Sequence, residues 1–112
     1  MTPNDLLPVI QDLWSEETCA SEWNPDLPCH GQGAVTALAI HDLCGGQIVK
    51  TECPSGWHYY NLVDGERYDL TKDQFNEELG YSDDPVERAE VIGAAGEKHY
   101  LALKAKLKEM MG

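Results

Sequence analysis

His58 and Asp69 are the two residues whose types and spacing could support acid–base chemistry. His58 lies in residues 56–63, GWHYYNLV, whose aromatic and β-branched side chains favour a β-strand. The Asp-Gly pair at 64–65 is typical of a two-residue hairpin turn, so residues 66–70 are predicted to return antiparallel. The sequence therefore predicts one hairpin that carries both residues.

The turn also determines the register of this hairpin, because it pairs Val63 with Glu66. Side chains alternate between the faces of a sheet, so one face carries His58, Tyr60, Asp69 and Thr71. His58 and Asp69 are then diagonal neighbours, with backbones about 7–8 Å apart and side chains within reach. A histidine oriented by a carboxylate forms the base and the orienter of a hydrolytic triad. A hydrogen bond that only stabilises the hairpin is the alternative.

The nucleophile of such a triad is expected at the amino end of a buried central helix. Residues 32–44, QGAVTALAIHDLC, are apolar nearly all round, which is typical of a helix in the middle of a fold, and the glycines at 45–46 end it. Unpaired N–H groups and the helix dipole would lower a thiol pKa there and hold an oxyanion. Residues 31–34 read GQGA and offer neither cysteine nor serine. Cys29 is the nearest thiol, and it reaches the site only if its loop folds back over His58.

Several further elements are predicted to position this helix and hairpin. They are a helix at residues 4–14 capped by Asn4 or Asp5, a strand at 47–51, a helical turn after Thr71 with Gln74 at a capping-box position, a helix opened by Pro85, and a last helix from about Glu97 to Met111. The long irregular segment 15–31 is typical of a functional loop, and Trp23 is expected to anchor it. The fold class is α+β: a buried central helix packed on a small antiparallel sheet of about three strands, in a single domain over residues 1–112.

Charge and hydropathy exclude several classes of partner. The 112 residues include 8 lysines and arginines against 20 aspartates and glutamates, a net charge of −12. Such acidity disfavours nucleic acid and anionic membranes as partners, while a basic protein partner stays open. No apolar run reaches the roughly 20 residues of a membrane span, and the amino terminus lacks the basic region of a secretory signal. A cytoplasmic location with reduced cysteines is therefore expected.

The cysteines and glycines indicate neither a metal nor a cofactor. No C-x-x-C pair occurs, and the set Cys19, Cys29, His30 and Cys53 follows no usual zinc spacing. The glycines at 31, 33, 45 and 46 do not form a phosphate-binding loop. In an exported protein, a disulfide between Cys19 and Cys29 would be an alternative.

Two sequence blocks resemble the YunG-like family of small bacterial proteins. The blocks are GQGAVTALAIHDLCGGQIVKT and GWHYYNLVDGERYDLTKDQF, and Trp14, Thr18, Trp23, Asn24 and Pro25 fit the family's lead-in. The resemblance covers residues 13–81 and implies a compact papain-like or transglutaminase-like core. It implies that His58 is the base and Asp69 its orienter, and that Gln32 neighbours the oxyanion site. Trp23 and Tyr60 are expected to be pocket residues of the same site. The family's G-Q-C reads Gly-Gln-Gly here, so Gly33 stands at the nucleophile position.

Two explanations of Gly33 are open: a natural non-catalytic member, or a variant whose nucleophile was replaced. The expected function is that of a small cysteine hydrolase or acyltransferase that acts on a peptide or small amide but is inactive as written. One alternative is a non-catalytic module that binds a peptide or small molecule. Another is an acidic protein-interaction domain. Close packing at the start of the helix is the structural alternative for Gly33 itself.

Overall fold

The fold is α+β, with helices on one face of an antiparallel sheet. The computed structural model describes residues 2–54, 56–75 and 79–111. Its helices are α1 (Pro3–Leu13), α2 (Gly33–Cys44), α3 (Arg88–Ala95) and α4 (Glu97–Met111), its strands are β1 (Gln47–Cys53), β2 (Gly56–Val63), β3 (Glu66–Tyr68) and β4 (Asp84–Pro85), and short 3-10 turns lie at Glu16–Thr18 and Lys72–Gln74. The strand order is β3-β2-β1-β4, and all neighbours are antiparallel.

The central helix α2 is buried as its apolar sequence predicts. Val35, Leu38 and Ile40 have no exposed surface, and α2 packs against β2, α3 and α4. Gly45 ends the helix with a φ of 73° and donates its N–H to the His41 carbonyl at 3.1 Å. A positive φ is free of steric cost only for glycine, so the helix ends here and the chain turns into β1.

The hairpin has the register that its Asp-Gly turn predicts, with Val63 opposite Glu66. The strand β3 ends at Tyr68, so Asp69 lies in the segment that immediately follows the strand. Along β2, Tyr59 and Val63 belong to the helical core, whereas His58 and Tyr60 contact aromatic side chains of the segment that follows β3. The alternation of a single strand therefore divides the core from the candidate site.

Asn61 links β2 directly to the central helix. Its side chain is 3% exposed, and its Nδ2 donates to the Ala37 carbonyl at 3.0 Å. Because a buried amide without a partner is costly, this bond fixes β2 against α2 in one position.

Two predicted helix starts are wrong. The helix α1 begins at Pro3 after Thr2, and Asp5 accepts the Thr2 N–H at 2.8 Å instead of capping the helix itself. Pro85 does not open a helix but pairs with Val49 in β4, and α3 begins at Arg88. A proline lacks an N–H, but it is tolerated both at the first position of a helix and on an edge strand. Because its fixed φ suits both structures, the sequence alone did not distinguish a helix start from an edge strand at Pro85.

The structure contains no helix that is long and apolar enough to cross a membrane within the residues it describes. Cys19 and Cys29 are buried thiols that are not joined by a disulfide bond. Thus the alternative disulfide between Cys19 and Cys29 is not formed.

Replacing Asn61 with alanine should lower the free energy of unfolding by about 1–3 kcal/mol, because the buried hydrogen bond to Ala37 is lost. Urea denaturation followed by circular dichroism measures the change. The matched control is Asn4→Ala, since Asn4 is an exposed residue of α1, and a change within about 0.5 kcal/mol is expected there. Equal effects of the two substitutions would contradict the anchoring role of Asn61.

Candidate functional site

His58 and Asp69 form a short hydrogen bond in the interior of the protein. His58 Nε2 lies 2.7 Å from Asp69 Oδ2, and the two side chains are 3% and 4% exposed. The β2–β3 ladder ends at the pair Asn61 and Tyr68, so Asp69 contacts His58 from the segment that follows β3 and not from a paired strand position as predicted. Since Asp69 can accept but not donate when ionised, the bond assigns the proton of the ring to Nε2.

Further donors hold Asp69 in this orientation. Tyr81 donates its hydroxyl to Oδ2 at 2.8 Å, and the Thr71 backbone N–H donates to Oδ1 at 3.2 Å. Burial and the bond to Asp69 raise the pKa of Tyr81, so its hydroxyl keeps its proton and remains a donor. Both carboxylate oxygens are therefore in use, and the rotamer of Asp69 is restricted.

Aromatic rings fix the plane of the His58 imidazole. Phe75 contacts it edge-on, with centroids 4.7 Å apart, and Tyr60 is stacked beside it at 5.8 Å. Tyr60 is 1% exposed, and its hydroxyl donates to Asp83 at 2.8 Å. Burial and the bond to Asp83 raise the pKa of Tyr60, so it is a neutral wall of the site.

The other nitrogen of His58 faces the first residue of α2. A Cβ at Gly33 would lie 3.4 Å from His58 Nδ1 and 3.6 Å from Thr71 Oγ1, distances of ordinary van der Waals contact. Gly33 is absent from the residues of positive φ in the described chain. Neither space nor backbone conformation requires a glycine here, so close packing does not explain Gly33.

The Gln32 side chain forms its hydrogen bonds with the loop that precedes α2. Its Oε1 accepts from Thr18 Oγ1 at 2.7 Å, and its Nε2 donates to the Ser15 carbonyl at 3.2 Å. No side chain caps α2, although Gln32 is its N-cap residue. The backbone N–H groups of residues 33–35 are therefore the donors at the helix end, and the oxyanion role of the Gln32 side chain stays a prediction.

Cys29 and Trp23 lie in the loop before α2. Burial raises the pKa of the Cys29 thiol, and the negative charges of Asp73 and Asp69 add to the effect. A raised pKa disfavours the thiolate, so these surroundings do not suit a substitute nucleophile. Trp23 is half-buried, and its pocket role stays a prediction. Among the described residues, no three His, Cys, Asp or Glu side chains gather as a metal site would require.

Sequence reasoning missed Tyr81, which lies in the loop that precedes β4. Arg67 of β3 forms two hydrogen bonds to Asp83, at 2.9 and 2.8 Å, and these bonds hold the loop against the hairpin. The Arg67 guanidinium keeps the pKa of Asp83 below its usual value. No local pattern indicates the contact, because it joins a strand to a loop 16 residues away.

Comparison with known proteins shows the family. The sequence matches the family described as YunG protein over residues 2–112. A relative from Bacillus subtilis (strain 168), titled "Uncharacterized protein YunG", is 36% identical over 96 residues, which cover 86% of this chain and 83% of the relative. This chain belongs to the YunG family. No solved structure matches it.

Membership of the YunG family confirms the resemblance that the two sequence blocks indicate. The relative's title states no activity. Any chemical role for His58 and Asp69 in this YunG protein therefore depends on their geometry and on experiment.

Gly33→Ala should leave the free energy of unfolding unchanged or raise it by up to about 1 kcal/mol. An alanine fits the helical backbone, and it lowers the conformational entropy of the unfolded chain. Gly31→Ala is the matched comparison. Gly31 has a φ of 75°, and its Cβ would overlap Ser21 Oγ and lie 2.6 Å from Cys19 Sγ, so a loss of at least about 1–2 kcal/mol is expected. Urea denaturation compares them, and an equal loss in both would show that the space beside His58 is smaller than described.

Proposed function

We propose that this protein carries the base and the orienter of a thiol-dependent acyl-transfer or amide-hydrolysis site. In this proposal the scaffold is a papain-like or transglutaminase-like core, and Gly33 takes the position of the nucleophile. One observation carries it: His58 Nε2 is bonded to Asp69 while Nδ1 faces the place of a side chain at residue 33. A nucleophile, a base and an orienter in line are the mark of such sites.

The distances support a thiol at this position. The sulfur of a cysteine is one bond beyond Cβ, so a rotamer of residue 33 would bring it to His58 Nδ1, which could take its proton. Asp69 would then stabilise the imidazolium, and the helix dipole of α2 would favour the thiolate. The N–H groups of the first turn of α2 are suited to hold the oxyanion that forms when a thiolate attacks an amide carbonyl.

Gly33 removes this chemistry from the protein as written. A glycine has no group that attacks a carbonyl, so no acyl-enzyme forms at residue 33. The protein is then a non-catalytic member or a variant without its nucleophile, and a peptide or small amide binds without being cleaved. A cytoplasmic location is part of the same proposal, and a basic protein partner for the chain's net charge of −12 is the alternative from another functional class.

Gly33→Cys should introduce a thiol that iodoacetamide alkylates about tenfold or more faster at pH 7 than an ordinary exposed thiol, because a lowered pKa increases the thiolate fraction. Peptide mapping by mass spectrometry follows position 33 alongside Cys19, Cys29, Cys44 and Cys53. Adding His58→Gln to the variant should return the rate to that of an ordinary thiol.

Gly93→Cys is the matched control for accessibility. Gly93 is an exposed residue of α3, and a Cβ there would contact nothing within 4 Å. If position 33 reacts no faster than position 93 or Cys29, or if His58→Gln leaves its rate unchanged, the proposed site is wrong.

A further inference from the structure

An apolar groove lies between the carboxyl-terminal halves of α2 and α4, at the end of α2 away from Gly33. Its volume is about 300 Å³, which lies at the lower end of the range for small-molecule sites. Its apolar side chains are Ala39 and Leu43 of α2 and Leu107 and Met111 of α4. Leu43 is 40% exposed and Met111 45%, so water contacts two large apolar side chains there. A ligand that covers them gains free energy from the hydrophobic effect.

Two lysines border this groove without an ion-pair partner. Lys104 and Lys108 are about one turn apart on α4, and both are exposed. The chain contains 20 aspartates and glutamates, but neither lysine forms an ion pair within the part of the chain that the structure describes. Like charges at this spacing on a helix repel each other. The helix dipole explains Lys108 in the last turn but not Lys104, which lies earlier. An anion bound beside both lysines would offset the repulsion.

Asp42, the acidic side chain of the groove, does not compensate these lysines. Its Oδ1 accepts from Arg88 Nη2 at 2.6 Å, and its Oδ2 accepts from the Tyr100 hydroxyl. Lys104 Nζ lies instead over the Tyr100 ring, 5.7 Å from its centroid. The charge of Asp42 is thus balanced by Arg88, and the rim of the groove keeps the positive charge of the two lysines.

We propose that this groove binds a small amphiphile made of one aliphatic chain and one anionic headgroup. The headgroup lies beside Lys104 and Lys108, towards Tyr100, and the chain extends over Leu107 towards Met111. Residues 104 and 111 are about 10 Å apart along the axis of α4, and an eight-carbon chain has about this length. The site is separate from His58 and Gly33, so it does not depend on the proposed thiol chemistry.

Size and charge favour a small amphiphile over a macromolecule. A stable protein interface buries about 800 Å² on each partner, whereas a few apolar side chains line this groove. A second copy of this chain or an anionic membrane would also bring many negative charges towards a chain of net charge −12. A single small anion interacts mainly with the two lysines next to it, because salt screens charges beyond about 8 Å.

The test is a titration of the ¹⁵N-labelled protein with sodium octanoate below its micelle concentration at neutral pH and low salt. The amide signals of Leu43 and Lys108 should shift and saturate with a Kd of about 1 mM or below, while those of Gly33 and Ala34 stay in place. Sodium acetate has the headgroup without the chain and should not saturate. 1-Octanol has the chain without the charge and should bind at least threefold more weakly, a difference that high salt should remove.

Two pairs of substitutions test the headgroup end of the site. Lys104→Gln combined with Lys108→Gln should weaken octanoate binding at least threefold at low salt. Lys72→Gln combined with Lys98→Gln is the matched control, because it changes the net charge equally at two exposed lysines outside the groove. It should leave the affinity nearly unchanged.

A second pair tests the chain end. Leu43→Gln should weaken octanoate binding at least threefold, because part of the apolar surface is lost. Leu101→Gln is the matched control, since Leu101 is 49% exposed and does not line the groove. Octyl phosphate distinguishes the headgroups: tighter binding than octanoate supports a phosphate amphiphile in this groove, and weaker binding supports a carboxylate.

Three results would overturn the proposal. The first is the absence of saturation by both octanoate and octyl phosphate. The second is an affinity that neither the Lys104 and Lys108 pair nor Leu43→Gln lowers more than its control. The third is a dimer in analytical ultracentrifugation that Leu43→Gln dissociates and Leu101→Gln does not, because a second copy of the chain would then cover the groove.

Discussion

The hydrogen bond between His58 Nε2 and Asp69 Oδ2 is the interaction on which the candidate site depends. At 2.7 Å between side chains that are 3% and 4% exposed, it fixes both the tautomer and the plane of the ring. Asp69 reaches this position because the two-residue turn aligns the hairpin and because Tyr81 and Thr71 occupy its remaining acceptor sites. With Nε2 engaged, only Nδ1 is available for chemistry or binding, and it faces Gly33.

The strand β2 also determines where the central helix lies relative to this ring. Asn61 donates to the Ala37 carbonyl, and Tyr59 and Val63 pack in the same core as α2. His58 lies on the same strand, so helix and imidazole are positioned by one short piece of backbone. One face of β2 packs apolar side chains in the core, and the other face carries polar side chains that need hydrogen-bond partners. The alternation of side chains along the strand separates these two environments.

The parts predictable from the sequence are those with a local cause. The Asp-Gly turn determines the register of the hairpin, and the apolar circumference of residues 32–44 identifies the buried helix. Pro85 was predicted wrongly because its fixed φ suits both a helix start and an edge strand. Tyr81 was missed, and Gln32 is directed to Thr18 and Ser15, because these contacts depend on loops whose path no nearby residue determines.

The most direct test of the account is the nuclear Overhauser effect between His58 Hε1 and the Hα protons of Gly33. A Cβ at Gly33 would lie 3.5 Å from His58 Cε1, and one Hα points in that direction. A strong cross-peak is predicted in the unsubstituted protein. A fully assigned spectrum in which this cross-peak is absent would contradict the convergence of the imidazole on the start of α2, and with it the site.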